Sequence, residues 1–239
     1  MKIQLRKVIA LFKKDMKDTS KNVNVMILLV LPLLFTFLYQ FIDLGGEGMP
    51  KEFILFISVL MNLCLVPVSF LSMIIAEEKE KNTLRTLMLS NVSAGDFLLS
   101  KSLVTFLYMQ VVNLLIFFII GQDTSTLLSF LGITTISSFC MIFIGAVAGL
   151  VSKDQMSTSL VTVPFMLIFL IPPMFEAVNP IFAAIARWVP TTAMMNLYFG
   201  TEGGAWYATI WFQVLVILLW TAASAVAFGL IFRKRSLDN

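Results

Sequence analysis

Residues Leu127–Val151 read LLSFLGITTISSFCMIFIGAVAGLV, without one Asp, Glu, Lys or Arg. A helix needs about 20 consecutive apolar residues to cross the hydrocarbon core of a bilayer, and this stretch is long enough. Lipid offers the backbone no hydrogen bonds, so only helices and closed barrels cross it, and a barrel would show short alternating segments instead. Five further stretches pass the same test: 22–42, 53–76, 102–120, 156–175 and 206–232. The expected fold class is therefore an all-α membrane protein, six transmembrane helices in a single domain over 1–239.

Composition supports this. Of 239 residues 59% are hydrophobic and 13% charged, against roughly 25% charged in a soluble domain. Mean hydropathy is +0.92. No polar stretch is long enough to fold as a separate soluble domain. The first residues do not read as a cleavable signal peptide: the basic stretch from Lys2 to Lys21 is long, and the apolar run after it lacks a small-residue cleavage site.

Charge sets the orientation. All but Lys51 and Arg187 of the 17 Lys and Arg fall in the N-terminal segment, the loop 77–101, the loop at Lys153 and the run Arg233, Lys234, Arg235. Basic residues gather on the cytoplasmic side, so both termini are expected in the cytoplasm of a multi-pass cell-membrane protein. Asp43, Glu47, Glu52, Asp123, Glu176 and Glu202 fall on the other side, and Tyr39, Trp188, Tyr198, Trp206 and Tyr207 lie where spans should meet the outer headgroups.

Absences narrow the function. The chain has no His, which removes a histidine base, a histidine metal ligand and a Ser–His triad. No G-x-x-x-x-G-K-[ST] run occurs, so no P-loop can cradle nucleotide phosphates. Ion-coupled transporters place costly charges inside their spans, and these spans hold none. Gln40, Asn62, Gln110, Asn113, Thr134, Thr135, Ser137 and Ser138 are the polar residues at membrane depth, and such groups more often bond helix to helix than bind substrate. Gly145 and Gly149 form a small-xxx-small pair suited to close helix packing. Cys64 and Cys140, both in apolar runs, read as buried thiols. The chain is expected to be no enzyme.

Three segments are not spans. In 3–17, Leu5, Val8, Ile9, Phe12 and Met16 recur at helical spacing among lysines and aspartates, which predicts a basic amphipathic helix on the cytoplasmic surface. The loop 77–101 opens on alternating charges; Leu84, Leu87 and Met88 then mark one face of a short helix, and Ser93 is placed as an N-cap for the stretch leading into the third span. Docking of a soluble partner and contact with lipid headgroups are both open for that short helix. In 176–204, Asn179-Pro180 predicts a helix start. Val178, Ile181, Phe182, Ile185 and Trp188 share a face, Pro190 is expected to end that helix, and Thr191 or Thr192 to cap a second one. Phe182–Ile185 and Met194–Phe199 are too apolar to face water, so a hairpin dipping into the outer leaflet is favoured over a loop lying flat on the bundle. Pro172-Pro173 should bend or end the fifth span.

The run Glu78-Lys79-Glu80-Lys81-Asn82-Thr83-Leu84-Arg85, with Leu87 and later Lys101, resembles the cytoplasmic signature of ABC transporter permeases of the type 2 exporter class, approximately E-K-E-x-G-T-L-E-x-L, a T-P-x-S turn, then G-K. Asn82 stands where Gly is common, Ser90-Asn91 replaces Thr-Pro, and Ser100 replaces the Gly before Lys101. Asn tolerates the left-handed backbone that Gly supplies. The layout is similar too: an N-terminal amphipathic helix, six spans, a coupling helix between spans two and three, and a re-entrant outer hairpin between spans five and six.

The resemblance implies half of an ATP-driven exporter. A second permease chain, identical or paralogous, and two copies of an ABC ATPase subunit would complete it, with ATP and magnesium bound by the ATPase and no cofactor in this chain. Leu84, Leu87 and Met88 would anchor the coupling helix in the ATPase, Glu78, Glu80 and Arg85 would rim it beside Thr83, and the helix 3–17 would steady the ATPase at the membrane. Pro180, Phe182, Trp188 and Pro190 would shape the hairpin. The other partner is the bilayer; nucleic acid is not expected. The expected cargo is an amphipathic or hydrophobic compound, an antimicrobial or toxin peptide or a drug. Alternatives are a lipid-linked glycan exporter subunit and a non-transporting membrane scaffold or immunity protein.

Overall fold

The computed structural model describes residues 4–41, 50–90, 92–200 and 209–237, and no strand occurs among them. Lys2, Asp43, Glu47, Asn91, Glu202, Trp206 and Tyr207 lie outside the described residues, as do the side chains of Leu84, Arg85 and Met88. The helices are α1 (Leu5–Thr19), α2 (Val23–Phe41), α3 (Lys51–Leu65), α4 (Leu71–Glu80), α5 (Thr83–Leu89), α6 (Ala94–Ile120), α7 (Leu127–Val151), α8 (Thr158–Phe175), α9 (Pro180–Ala186), α10 (Pro190–Phe199) and α11 (Ile210–Leu237). A π turn at Val66–Phe70 joins α3 to α4. Six helical stretches are long and apolar enough to cross a membrane, and α3, the π turn and α4 make one of them, Lys51–Glu80.

Several ends differ from the sequence reading. The third span begins eight residues early, at Ala94 rather than 102, because Ser93 and Asp96 close a capping box there. The charge of Lys101 does not stop the helix, since the side chain is buried among carboxylates. The second span runs past 76 to Glu80. The fifth span ends at Phe175 as expected, with Pro172-Pro173 inside the last turn of α8. A proline at 173 cannot donate to the carbonyl four residues before it. That carbonyl, of Phe169, accepts a 2.7 Å hydrogen bond from Thr191 Oγ1 instead.

Pro190 also plays a different part from the one expected. α9 ends at Ala186, and Pro190 is the first residue of α10, where its missing N–H is no loss. Neither Thr191 nor Thr192 caps α10; Val189 precedes it without a side-chain bond, and both threonines are buried. Asn179 does cap α9, accepting from Ile181 N at 2.8 Å.

α3, the π turn and α4 run through the middle of the bundle, mostly buried, while α2, α8 and α11 leave most of their surface outside. α7 crosses the centre because Gly145 and Gly149 let it. A Cβ on Gly145 would stand 2.0 Å from the Pro67 carbonyl oxygen, and one on Gly149 would stand 2.9 Å from Ser72 Cα. Ser72 Oγ seals this contact by donating to the Gly145 carbonyl at 2.8 Å. α10 is buried along Pro190–Met195, whereas α9 keeps Ile181 and Ile185 exposed.

The polar residues at membrane depth bond helix to helix or to their own backbone. Asn62 Nδ2 donates to Asn113 Oδ1 at 2.7 Å and to Met109 O at 3.1 Å. Asn113 Nδ2 donates to Gln110 Oε1 at 3.2 Å, and Gln110 Nε2 to Thr135 Oγ1 at 2.6 Å. Thr134, Ser137 and Ser138 bond to carbonyls one turn back, and Gln40 reaches the Ile119 carbonyl at 2.7 Å. Cys64 and Cys140 are buried free thiols.

Candidate functional site

One end of the bundle, the basal end, gathers α1, the end of α4, α5 and the start of α6. α4 stops at Lys81, and Asn82 takes a left-handed backbone (φ 55°), the one non-glycine residue to do so among those described. That residue turns the chain from α4 into α5. Thr83 then folds back, its Oγ1 donating to the Glu78 carbonyl at 3.1 Å and to Glu78 Oε2. The first turn of α5 is thus tied to the last turn of α4.

Glu78 is in turn held from two other helices. Lys14 Nζ of α1 lies 2.7 Å from its Oε1, and Lys101 Nζ of α6 lies 3.2 Å from the same atom. Lys101 also reaches both Asp15 oxygens, at 3.2 and 3.3 Å, and sits 5.0 Å from the centre of the Phe97 ring. Two lysines and two carboxylates balance. Lys101 is 1% exposed and Asp15 3%. Charges so far from water are tolerated only when paired and hydrogen-bonded.

Burial pushes the Asp15 carboxyl above the ordinary carboxylate range, with the Lys101 charge opposing it. Burial would lower Lys14, but the hydrogen bond and charge of Glu78 outweigh it and raise its pKa. A cleft of about 130 Å3 opens beside the cluster, walled by Asp15, Asp18, Glu77 and Glu78 with Lys14 and Lys81. Among the described residues no group of three or more Cys, Asp or Glu is placed to hold a metal ion.

The loop is fastened on further sides. Lys79 Nζ donates to the Leu150 carbonyl at 2.9 Å and to that of Ser152, at the end of α7. Glu80 Oε2 accepts from Gln155 N at 3.0 Å, before α8. Asp96 Oδ1 accepts from Gln4 N at 2.8 Å, which anchors the start of α1 to the start of α6.

The sequence-derived residues fall in different places. Glu78 and Thr83 meet at the α4–α5 joint, while Glu80 reaches to Gln155. Leu87 is half-buried against the small core of Leu71, Ile75 and Phe97, while Leu89 stands 79% exposed. Leu84, Arg85 and Met88 lie on α5. On α1, Val8 is buried, Phe12 and Met16 pack partly against the core, and Leu5 and Ile9 are exposed. At the far end, Pro180 starts α9, Phe182 sets its ring 5.9 Å from that of Phe175, and Trp188 its ring 5.3 Å from that of Phe212. The Trp188 carbonyl accepts from Trp220 Nε1 at 2.7 Å.

Sequence reasoning missed Asp15, Lys14 and Lys101 as a group. The available signal was Lys101 itself, a lone cation between Phe97-Leu98-Leu99-Ser100 and Ser102-Leu103-Val104, where a charge needs a partner.

Six spanning helices make this chain a multi-pass membrane protein. It belongs to the ABC-2 family of transporter proteins, whose model matches residues 49–233. It is thus an ABC-2 type permease, a membrane transport component of a family that implies an ABC ATPase partner. The matched region begins after α2, so α1 lies outside it. No curated protein matches the chain.

Proposed function

We propose that this chain is the permease subunit of an ATP-driven exporter. Two permease chains, identical or paralogous, would form the pathway. Two copies of a cytoplasmic ABC ATPase would bind ATP and magnesium and drive it. Both termini, α1 and α5 face the cytoplasm, where the charge bias of the loops puts them. α9 and α10 form the outer hairpin, and α1 is the interfacial helix.

The observation that carries the reading is the fastening of α5. Its first turn is bonded to Glu78, and Glu78 is bonded to α1 and α6. A short helix so tied transmits a push as a rigid body rather than absorbing it. Leu89, exposed on α5, joins Leu84, Arg85 and Met88 as the surface offered to the ATPase. Between their ends the spans carry no Asp, Glu, Lys or Arg, which favours an amphipathic or hydrophobic cargo, a peptide or a drug, over an ion.

The test is co-purification with the cognate ATPase and cargo-stimulated ATP hydrolysis in nanodiscs. Leu89→Asp should lose both while the permease stays folded and monodisperse. Undiminished ATPase capture by that variant would refute docking at α5. A cargo that never stimulates hydrolysis by the intact complex would refute export.

A further inference from the structure

A second basal feature lies between α1 and α6. Leu5, Ile9 and Phe12 of α1 and Leu103, Leu107 and Val111 of α6 line an open groove of about 450 Å3. Its walls are apolar. The one polar residue there, Gln110, turns its amide away, donating to Thr135 and accepting from Asn113. Nothing in the groove can hydrogen-bond a polar ligand, so its occupant is a hydrocarbon chain.

The rim says which kind. At 100° per residue, Arg6, Lys13 and Lys17 fall on the arc of α1 next to that of Leu5, Ile9 and Phe12, and all three are exposed. A ligand with its tail in the groove would bring its head to this cationic arc. A second copy of this chain fits poorly, since a two-fold contact over this face would put three cations from each copy into one interface.

We infer that the α1–α6 groove is a binding site for an anionic phospholipid, its acyl chain along Leu103, Leu107 and Val111 and its phosphate against Lys13, with Arg6 and Lys17 adding positive charge on either side along the helix. The site involves neither α5 nor the ion cluster. Its ligand would hold α1 against α6 from the outside, as the Lys101–Asp15 pair does from the inside.

Native mass spectrometry of the full chain released from nanodiscs of equimolar phosphatidylglycerol and phosphatidylethanolamine tests this. Wild type should retain phosphatidylglycerol in excess. One basic residue near an anionic lipid is worth about five-fold in binding, so Lys13→Gln should lower the ratio of retained lipids by about that factor. Lys13→Arg should restore it. Leu107→Trp, which fills the groove, should remove bound lipid of both kinds, while its thermal unfolding shows that the bundle remains folded. Equal retention of the two lipids by wild type, or retention unchanged in Lys13→Gln or in Leu107→Trp, overturns the proposal. So does efficient disulfide cross-linking between two copies through Val111→Cys, which would put a second chain on this face.

Discussion

The hydroxyl of Thr191 takes the place of the N–H that Pro173 lacks, donating to the Phe169 carbonyl at 2.7 Å. Both residues are fully buried. A backbone acceptor without water or a partner is costly in lipid, so this bond satisfies the acceptor that Pro173 leaves and ties α10 to α8. Thr191→Val, which keeps the shape and removes the donor, should destabilise the protein by about 1–2 kcal/mol. Thr191→Ser should keep most of the stability. Thermal unfolding of the purified protein measures both; a Val variant as stable as wild type would refute the assignment.

Gly145 marks the closest approach of α7 to the second span. Its absent Cβ would overlap the Pro67 carbonyl, which is backbone and cannot swing aside. Gly145→Ala should therefore cost about 1–3 kcal/mol or more by forcing the helices apart. On the same helix Gly132 has open space around the same position, so Gly132→Ala should be neutral or slightly stabilising. Size-exclusion profiles and melting curves of the two variants should separate cleanly.

Lys101 is the hub of the basal cluster. Replacing it with Met leaves Asp15 and Glu78 buried as carboxylates without their shared cation, a loss of about 3–5 kcal/mol. Asp15→Asn should cost less, because Lys101 keeps Glu78. A double-mutant cycle over Asp15 and Lys101 should give a coupling of about 0.5–3 kcal/mol. Faster amide exchange along α1 in Lys101→Met would report the release of that helix; unchanged exchange there would show that the cluster does not hold it.

At Asn82 the backbone itself is the constraint. Asn82→Gly should be tolerated, since glycine adopts a positive φ freely. Asn82→Val should cost about 1–2 kcal/mol and misplace α5, with ATPase capture falling in step. Equal capture by the Gly and Val variants would mean that the bend between α4 and α5 is immaterial.

Much of this fold is legible in the sequence because it is local. Uncharged runs announce six spans, Ser93 announces a cap and Asn179-Pro180 a helix start, while the left-handed residue at Asn82 is suggested only by the family resemblance. The Gly145/Gly149 pair announces a close contact without naming the helix that makes it. The basal cluster is not legible, because Lys101 and Asp15 lie 86 residues apart and no spacing rule joins them. The same ignorance moves the start of the third span: a lysine reads as the end of an apolar run unless its counter-charges are known. Leu87 shows another limit. An apolar stripe on a short helix does not say whether it faces a partner or the helix's own bundle, and Leu87 packs inward while Leu89 does not. Pro190 misleads because proline signals a helix end and a helix start alike.

The π turn at Val66–Phe70 inserts a residue into the winding of the second span. One extra residue advances the angular phase of everything beyond it by about 100°. The side of α3 that looks toward α2 and α6 therefore does not continue down the rod, and α4 looks toward α7 instead. The two halves of one span therefore answer to different neighbours: a change of packing at Gly149 bears on α4, through Ser72 and Ile75, and leaves α3 to α2 and α6.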